Sequence, residues 1–197
     1  MRRSVIVATS IISIVLCLCM LTYSVFANIN QSFSVSNTIG FVSSEDIYVG
    51  LDCEVSGCEQ AQLTTPPTGY SSLEEYRSSV GLVNKLTFDE SQRGSKQVIG
   101  DWSISESLKF VVYQTPIVYT IKIYNYSDQA IRVSFSDYVT DESIIVNTVS
   151  ESVTIDAYEV RNGNPSFATI TMTTRVALGS ASFNQEPNNF VVVIENS

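Results

Sequence analysis

Hydrophobic and polar residues alternate with a period of two along much of the second half of the chain. In Tyr119–Ile123 the tyrosine and isoleucines face one way while threonine and lysine face the other, and Ile131–Phe135 repeats the pattern. The polar stretch Asn125–Gln129 lies between them, so the two runs predict a β-hairpin. After the turn signal Asn162–Pro165, the run Ala168–Thr173 alternates in the same way and predicts another strand.

The remaining apolar runs complete an all-β prediction. The continuously apolar run Phe190–Ile194 is typical of a central strand covered on both faces. Shorter runs predict strands over Ser32–Ser36, Ile47–Val55, Leu86–Phe88, Leu108–Tyr113, Ile144–Val146 and Val153–Ile155. Roughly nine strands at short spacing predict a β-sandwich, either jelly-roll-like or Ig-like.

One insert, residues 59–100, interrupts the strand pattern. Pro66–Gly69 stops extended structure, and Ser72 and Glu75 then have the spacing of a capping box. Gly81 is placed to end the helix. Apolar residues at the spacing of one helix face lie between these ends: Leu73, Tyr76 and Val80. The insert therefore predicts one short surface helix.

The N-terminus has the pattern of a targeting segment. Arg2–Arg3 precede the uncharged and mostly apolar stretch Ser4–Ala27. Val25 and Ala27 are the small residues that a signal peptidase requires for cleavage before Asn28. The apolar stretch is also long enough to span a bilayer if it is not cut. Residues 1–27 are therefore either a signal peptide or a single-pass anchor whose N-terminus is cytoplasmic.

We predict that the remaining chain, residues 28–197, is a single β-sandwich domain. Its composition excludes several classes of function. The 197 residues include 11 Lys+Arg and 20 Asp+Glu, so the formal net charge is −9. This balance argues against nucleic acid as a partner. The sequence contains no histidine, which excludes Ser-His-Asp catalysis and histidine-ligated zinc.

Cys53 and Cys58 are candidates for a disulfide bond. Export would place them in an oxidising environment, and the turn signal Ser56-Gly57 could bring them together. A tetrahedral metal site would need two further Cys or His ligands, and the exported part has none. We therefore expect a small structural disulfide between Cys53 and Cys58, rather than a redox or metal site.

Candidate catalytic residues are few. Adjacent acids occur in three pairs: Glu74–Glu75, Asp89–Glu90 and Asp141–Glu142. Neighbouring strand residues face opposite sides, so we interpret these pairs as solvated charges. The predicted strand at 131–135 is followed by an acidic stretch that comprises Asp137, Asp141 and Glu142. This stretch contains no calcium-loop motif. A nucleophilic serine would need a lysine base, and the exported lysines follow no catalytic motif: Lys85, Lys96, Lys109 and Lys122. We predict no enzyme activity, no metal and no cofactor.

Aromatic residues offer a second type of surface chemistry. Trp102, Tyr113, Tyr119, Tyr124 and Tyr126 could form a face for sugars or for a protein partner. Aromatic residues at strand spacing more often belong to a core, and we favour that interpretation.

Several stretches resemble the TasA and camelysin group of exported Gram-positive surface proteins. The resemblance lies in Thr22–Ala27, Phe33–Asn37, Tyr48–Leu51, Tyr119–Asn125, Val153–Tyr158 and Ala168–Met172. It implies a jelly-roll-like domain, processed by a dedicated signal peptidase of the W type and displayed at the cell surface. Some members of that group polymerise into biofilm matrix fibres. The sequence departs from the group at Asn28–Asn30, where an acidic pair is usual.

Two functions follow as hypotheses. The first is a non-enzymatic extracellular or cell-surface protein that self-associates by strand addition, with Asn28–Ser36 as the donated strand. The second is a binding module that is anchored in the membrane by residues 1–27 and uses the insert Glu59–Gly100 to bind a glycan or protein ligand.

Overall fold

The described strands form two sheets, and most strands that follow one another along the chain lie in different sheets. The computed structural model describes residues 34–43, 47–89, 103–111, 115–136, 145–158, 164–176 and 188–197, all within one compact unit, Phe33–Ser197. The described strands are β1 (Ser34–Ser43), β2 (Val49–Ser56), β3 (Val83–Leu86), β4 (Ser103–Lys109), β5 (Ile117–Asn125), β6 (Ile131–Ser136), β7 (Ile145–Val149), β8 (Val153–Ile155), β9 (Ser166–Val176) and β10 (Asn188–Asn196).

Each sheet has five described strands. Sheet A has the order β4-β1-β10-β6-β8, and sheet B has the order β3-β2-β5-β9-β7. The described strands pair antiparallel, with the exception of the parallel pair β1–β10. The all-β prediction is therefore confirmed.

The core consists of the inward-facing positions of both sheets. In β5 every second residue is buried, and Tyr119, Ile121 and Ile123 lie on the inner side as their spacing predicts. Sheet A contributes the inner residues of β1, β4, β6 and β10, among them Ile39, Leu108, Val133 and Phe190. Burial of each such side chain stabilises the fold by roughly 1.5–3 kcal/mol.

Strand β10 confirms one part of its prediction and corrects another. It lies in the middle of sheet A, between β1 and β6, as expected for a central strand. Phe190, Val192 and Ile194 are buried, but Val191 and Val193 on the other side are only half-buried. The strand is therefore covered by core on one face, and its apolar run does not mark burial on both.

The predicted hairpin between the runs at 119–123 and 131–135 is wrong. These runs become β5 and β6, which lie in different sheets. Asn125 Nδ2 donates hydrogen bonds to the backbone oxygens of Gln129 (2.8 Å) and Asp156 (2.9 Å), and Asn125 Oδ1 accepts one from Ser127 N (2.8 Å). These bonds fix a loop that crosses from sheet B to sheet A, whereas a hairpin turn would keep both strands in one sheet.

The observed strands differ from the predicted ones in their bounds, most of all in three cases. The strand expected at 32–36 is β1, which extends to Ser43. The strand expected at 86–88 is β3, which begins at Val83, and the one expected at 108–113 is β4, which begins at Ser103. Serine-rich β4 carries its apolar residues only at alternate positions, which is why a search for apolar runs placed it too late.

The short helix of the insert forms as predicted. Helix α1 spans Leu73–Ser79 and contains no buried residue. The hydroxyl of Ser72 accepts a hydrogen bond from Glu75 N (3.1 Å), and Glu75 Oε2 accepts one from Ser71 N (2.8 Å). The last turn closes through the bond from Leu82 N to Arg77 O (2.8 Å), which directs buried Leu82 into the core. The insert also contributes the 3-10 helix Gln60–Gln62 and strand β3.

The predicted targeting segment lies outside the described residues. The same holds for the predicted cleavage site between Ala27 and Asn28. In the part of the chain that the structure describes, no helix is long and apolar enough to cross a membrane.

Candidate functional site

Cys53 and Cys58 are both buried, and the structure holds both as free thiols. The structure therefore does not show the disulfide bond that we expected between them. Strand β2 continues through Ser56, so the chain stays extended for about 10 Å beyond Cys53 before it turns at Gly57. Cys58 then pairs with Phe110 in an isolated bridge. Burial raises the pKa of the Cys53 thiol to about 12 and also raises that of Cys58.

A buried polar cluster joins the two sheets. Asn37 in β1 and Glu106 in β4 are directly opposite each other in sheet A. Tyr119 reaches them from sheet B, and its hydroxyl donates a hydrogen bond to Glu106 Oε1 at 2.5 Å. Asn37 Nδ2 donates to the same tyrosine oxygen. The three side chains are all nearly inaccessible to solvent.

Glu106 is the buried carboxyl group of the described residues, and its pKa is strongly perturbed. Burial raises this pKa to about 7, while the hydrogen bond from Tyr119 and the neighbouring polar side chain of Asn37 oppose the rise. Glu106 Oε2 has no hydrogen-bond partner within the described part of the chain. Burial, and to a smaller extent the nearby carboxylate, also raise the pKa values of Tyr119, Cys53 and Cys58.

The cluster acts as a polar connection inside the core. A reactant would have to reach Glu106 through the sandwich, because its side chain is only 7% exposed. The neighbouring thiols carry raised pKa values and are therefore poor nucleophiles at neutral pH. Glu106 also faces inward from an edge strand, a placement that natural sheets use to discourage edge-to-edge pairing.

A second set of buried polar atoms lies at the opposite edge of the sandwich. Asn147 in edge strand β7 is paired with Thr174 in β9, and both side chains are buried. Among the described residues, neither side chain has a hydrogen-bond partner. A buried unsatisfied polar group costs about 1–3 kcal/mol, so a water molecule or an added polar group that bonded to these atoms would stabilise the fold.

The four sheet edges are protected unequally. In β4, Gln60 binds Ser107 O through Nε2 (3.3 Å) and Lys109 N through Oε1 (3.1 Å), while Glu59 N donates to Lys109 O (2.8 Å). This arrangement caps the C-terminal half of the longest edge strand. Strands β3 and β8 have four and three residues. In the described structure, no strand or capping side chain binds the outer edge of β7.

Aromatic residues lie on the outer face of sheet B, which points away from the core, and in the adjacent loops. We call them the aromatic surface and define it as Tyr48, Phe88, Tyr124, Tyr126, Tyr158 and Phe167. Ring centroids follow one another at 5.6 Å (Tyr48–Phe88), 4.7 Å (Phe88–Tyr126) and 5.8 Å (Tyr126–Tyr158). Tyr124 and Phe167, paired across β5 and β9, are 5.7 Å apart. Phe167 is 55% exposed.

Charged residues adjoin these rings. Lys122 Nζ lies 3.9 Å from the centroid of Phe167 and 4.9 Å from that of Tyr124. The Tyr124 hydroxyl donates to Asp52 Oδ2 at 3.1 Å, and Lys85 Nζ lies 3.6 Å from Asp52 Oδ1. Tyr126 has a raised pKa, chiefly because of burial, with Tyr124 and Tyr158 adding to it.

Gly50 leaves space for one ring of the aromatic surface, that of Tyr126. It is paired with Tyr124 across β2 and β5. A Cβ atom at this position would lie 3.2 Å from Tyr126 Cε2 and 3.3 Å from Leu86 O. The absence of a side chain therefore allows the ring of Tyr126 to lie close against the sheet.

The sequence-predicted aromatic face is divided by the structure. Tyr124 and Tyr126 lie on the surface, whereas Tyr119 belongs to the core; Trp102 and Tyr113 lie outside the described residues. Phe167 was not among the predicted members, although its position just before the alternating run at 168–173 would place it on the threonine side of β9.

The predicted acid pairs do not converge on one site. Glu74 and Glu75 are exposed on α1, and Asp89 is exposed after β3. Glu90, Asp137, Asp141 and Glu142 lie outside the described residues. In the described chain, no group of three Cys, Asp or Glu side chains could hold a metal ion.

Sequence reasoning missed Glu106, although a signal was present. Glu106 alternates with Ile104 and Leu108, so a period of two places it on the apolar side of β4. An acid on an apolar side is a conspicuous departure from the pattern, and Asn37 shows the same departure in β1 between Val35 and Ile39.

Comparisons with known proteins found no match for this chain. No protein-family model, no curated protein and no solved structure matches it.

Proposed function

We propose that this protein is a non-enzymatic, exported surface or matrix protein whose jelly-roll-like domain associates with further copies by strand addition. The observation that supports this proposal is the outer edge of β7, next to the buried and unsatisfied side chains of Asn147 and Thr174. A strand added at this edge would pair with the backbone of β7, and an inward-facing polar side chain on it would lie next to Asn147.

The fold limits which segment can be donated. Residues 34–36 of the expected donor belong to β1, which is paired with β4 and β10 inside sheet A. Withdrawal of β1 would expose Val35, Ile39 and Phe41, which are buried. The proposal therefore places the donated strand within residues 28–33, freed by cleavage after Ala27.

A charged edge residue tests the proposal. Thr148 is exposed on edge strand β7. Thr171 is exposed on the same face of the sheet, but on β9, which has a neighbouring strand on each side. We expect Thr148→Lys to abolish concentration-dependent assembly of the cleaved chain, residues 28–197, because a lysine on an edge strand opposes pairing with a further strand. Thr171→Lys is the matched control and should assemble as the wild type does.

Sedimentation velocity over a wide concentration range measures this difference. A wild-type chain that stays monomeric throughout contradicts the proposal, and so does equal assembly by both lysine variants. A chain shortened to begin at Phe33 tests the donor, because it keeps all of β1. It should remain folded and lose assembly.

A second function, ligand binding at the cell surface, is favoured by the aromatic surface. The insert at residues 59–100, which we expected to bind the ligand, supplies Phe88 to the aromatic surface and Lys85 to the charged residues beside it. We propose that residues 1–27, if uncut, would hold such a module at the membrane with the domain outside the cell.

A further inference from the structure

We propose that the aromatic surface of sheet B binds a neutral polysaccharide. The proposal rests on the second function, ligand binding, for which it names the ligand class, and it does not depend on self-association. Three properties of the surface support it: exposed ring area, adjacent hydrogen-bonding groups, and local compensation of charge.

Phe167 provides the exposed ring. It is the most exposed large hydrophobic residue in the described part of the chain, although its strand is an inner one. Its contacts with the Tyr124 ring at 5.7 Å and with the Lys122 ammonium group at 3.9 Å leave the residue 55% exposed. A pyranose ring has one face of C–H groups, and such a face gains dispersion and electrostatic attraction on an aromatic ring.

Polar groups lie where sugar hydroxyls would be. Asp52, Lys122 and Thr169 are paired across β2, β5 and β9 in the row next to the rings of Tyr124 and Phe167. Lys122 brings an ammonium group with three donors to within 3.9 Å of the Phe167 centroid. A sugar stacked on Phe167 would therefore have donors and acceptors within reach of its hydroxyls.

The charge pattern favours an uncharged ligand. Asp52 is paired with Lys85 on one side and with Lys122 on the other, so positive and negative groups alternate along this row. The whole chain carries a formal charge of −9, which opposes the approach of an acidic polymer. The row holds two lysines against one aspartate: Lys85 forms the ion pair with Asp52, and the ammonium group of Lys122 lies over the rings of Phe167 and Tyr124.

The size of the apolar area favours a sugar over a protein. On this face, the large exposed hydrophobic residues of the described chain are Phe167 in β9 and Val83 in β3, with two strands between them. A stable protein interface buries about 800 Å² on each partner around a clustered apolar centre. Stacking of a sugar needs only one or two rings.

Native affinity gels test the proposal with the full chain in a polyoxyethylene detergent. The neutral probes are hydroxyethyl cellulose, a soluble β-1,3-glucan and xylan, and the anionic probe is alginate. We expect at least one neutral probe to retard the wild type. Phe167→Ala and Phe167→Leu should each raise the dissociation constant at least tenfold; the leucine keeps an apolar side chain and removes the ring.

Thr171→Ala is the matched control, since Thr171 is exposed on the same strand and face four residues from Phe167. It should bind as the wild type does. Retention of binding by Phe167→Leu would overturn the proposed site. Retardation by alginate alone would overturn the ligand class and leave the binding function standing. No retardation by any of the four probes would overturn both.

Discussion

The hydroxyl of Tyr119 in sheet B lies 2.5 Å from Glu106 Oε1 in sheet A, and this hydrogen bond connects the two sheets through the core. The acceptor is a carboxyl group, and burial raises its pKa to about 7. Since the bond lies between two sheets, the protonation state of one side chain is coupled to their packing.

The pKa of Glu106 predicts that stability falls as the pH rises. The carboxyl group binds its proton more tightly in the folded protein than in the unfolded chain, so its contribution is fully present below pH 4.5 and is lost by about pH 7. The size of this loss is about 3 kcal/mol in the free energy of unfolding. Glu106→Gln should remove it and make the protein more stable than the wild type at pH 8.

Urea unfolding of the wild type and of Glu106→Gln at pH 5 and pH 8 measures this effect. Glu195→Gln is the control, because Glu195 is exposed on β10. The prediction is contradicted if Glu106→Gln loses as much stability as the wild type between the two pH values.

Removal of the Tyr119 hydroxyl should destabilise the fold. Tyr119→Phe leaves Glu106 and Asn37 without this partner in the core, at a cost of about 1–3 kcal/mol. It should also raise the pKa of Glu106 further, because the hydrogen bond from Tyr119 lowers it. Tyr124→Phe removes a hydroxyl that binds Asp52 at the surface and should cost less. Equal losses for the two variants, measured by urea unfolding at pH 7, would argue against a special role for the buried bond.

Gly50 should tolerate alanine poorly. The new Cβ would lie 3.3 Å from the backbone oxygen of Leu86, which cannot move independently of β3, and we expect a loss of about 1–3 kcal/mol. Gly40 is a matched control in β1, since the nearest atom to its Cβ position, Phe190 O, is 3.9 Å away. Gly40→Ala should change stability by less than about 0.5 kcal/mol. Thermal unfolding of both variants measures these changes in stability. Similar losses of stability in the two variants would show that the close approach at Gly50 is unimportant.

The buried thiols should resist alkylation in the folded protein. Cys53 and Cys58 are inaccessible, and both have raised pKa values, so iodoacetamide at pH 8 should modify them only after unfolding in urea. Peptide mass spectrometry distinguishes them from Cys17 and Cys19. Rapid alkylation of the native protein, or a peptide that contains Cys53 linked to Cys58, would contradict the structure of this region.

The sequence predicted those features that depend on local pattern. The alternation in β5 and β9 and the capping residues Ser72 and Glu75 act over a few residues, and the structure confirms them. The assignment of strands to sheets depends on distant contacts, such as the bonds from Asn125 to the segment after β8, and this is why the hairpin prediction failed.

The buried cluster shows the same limit at the level of a site. The alternation of β4 contains the signal that Glu106 faces inward. That Asn37 and Tyr119 lie beside it follows only from the order of strands in both sheets. The aromatic surface likewise joins residues from β5, β9 and loops far apart in the chain, which no local spacing could bring together.

The parallel pair β1–β10 has a consequence for the order of folding. Residues 37–43 of β1 each pair with a residue of β10 roughly 150 positions later in the chain, so the centre of sheet A closes over the longest sequence separation among the described strands. During synthesis the ribosome must release β10 before β1 has this neighbour. Sheet B contains neither strand, so its pairs can form first, and we expect the completion of sheet A to be a late step in folding.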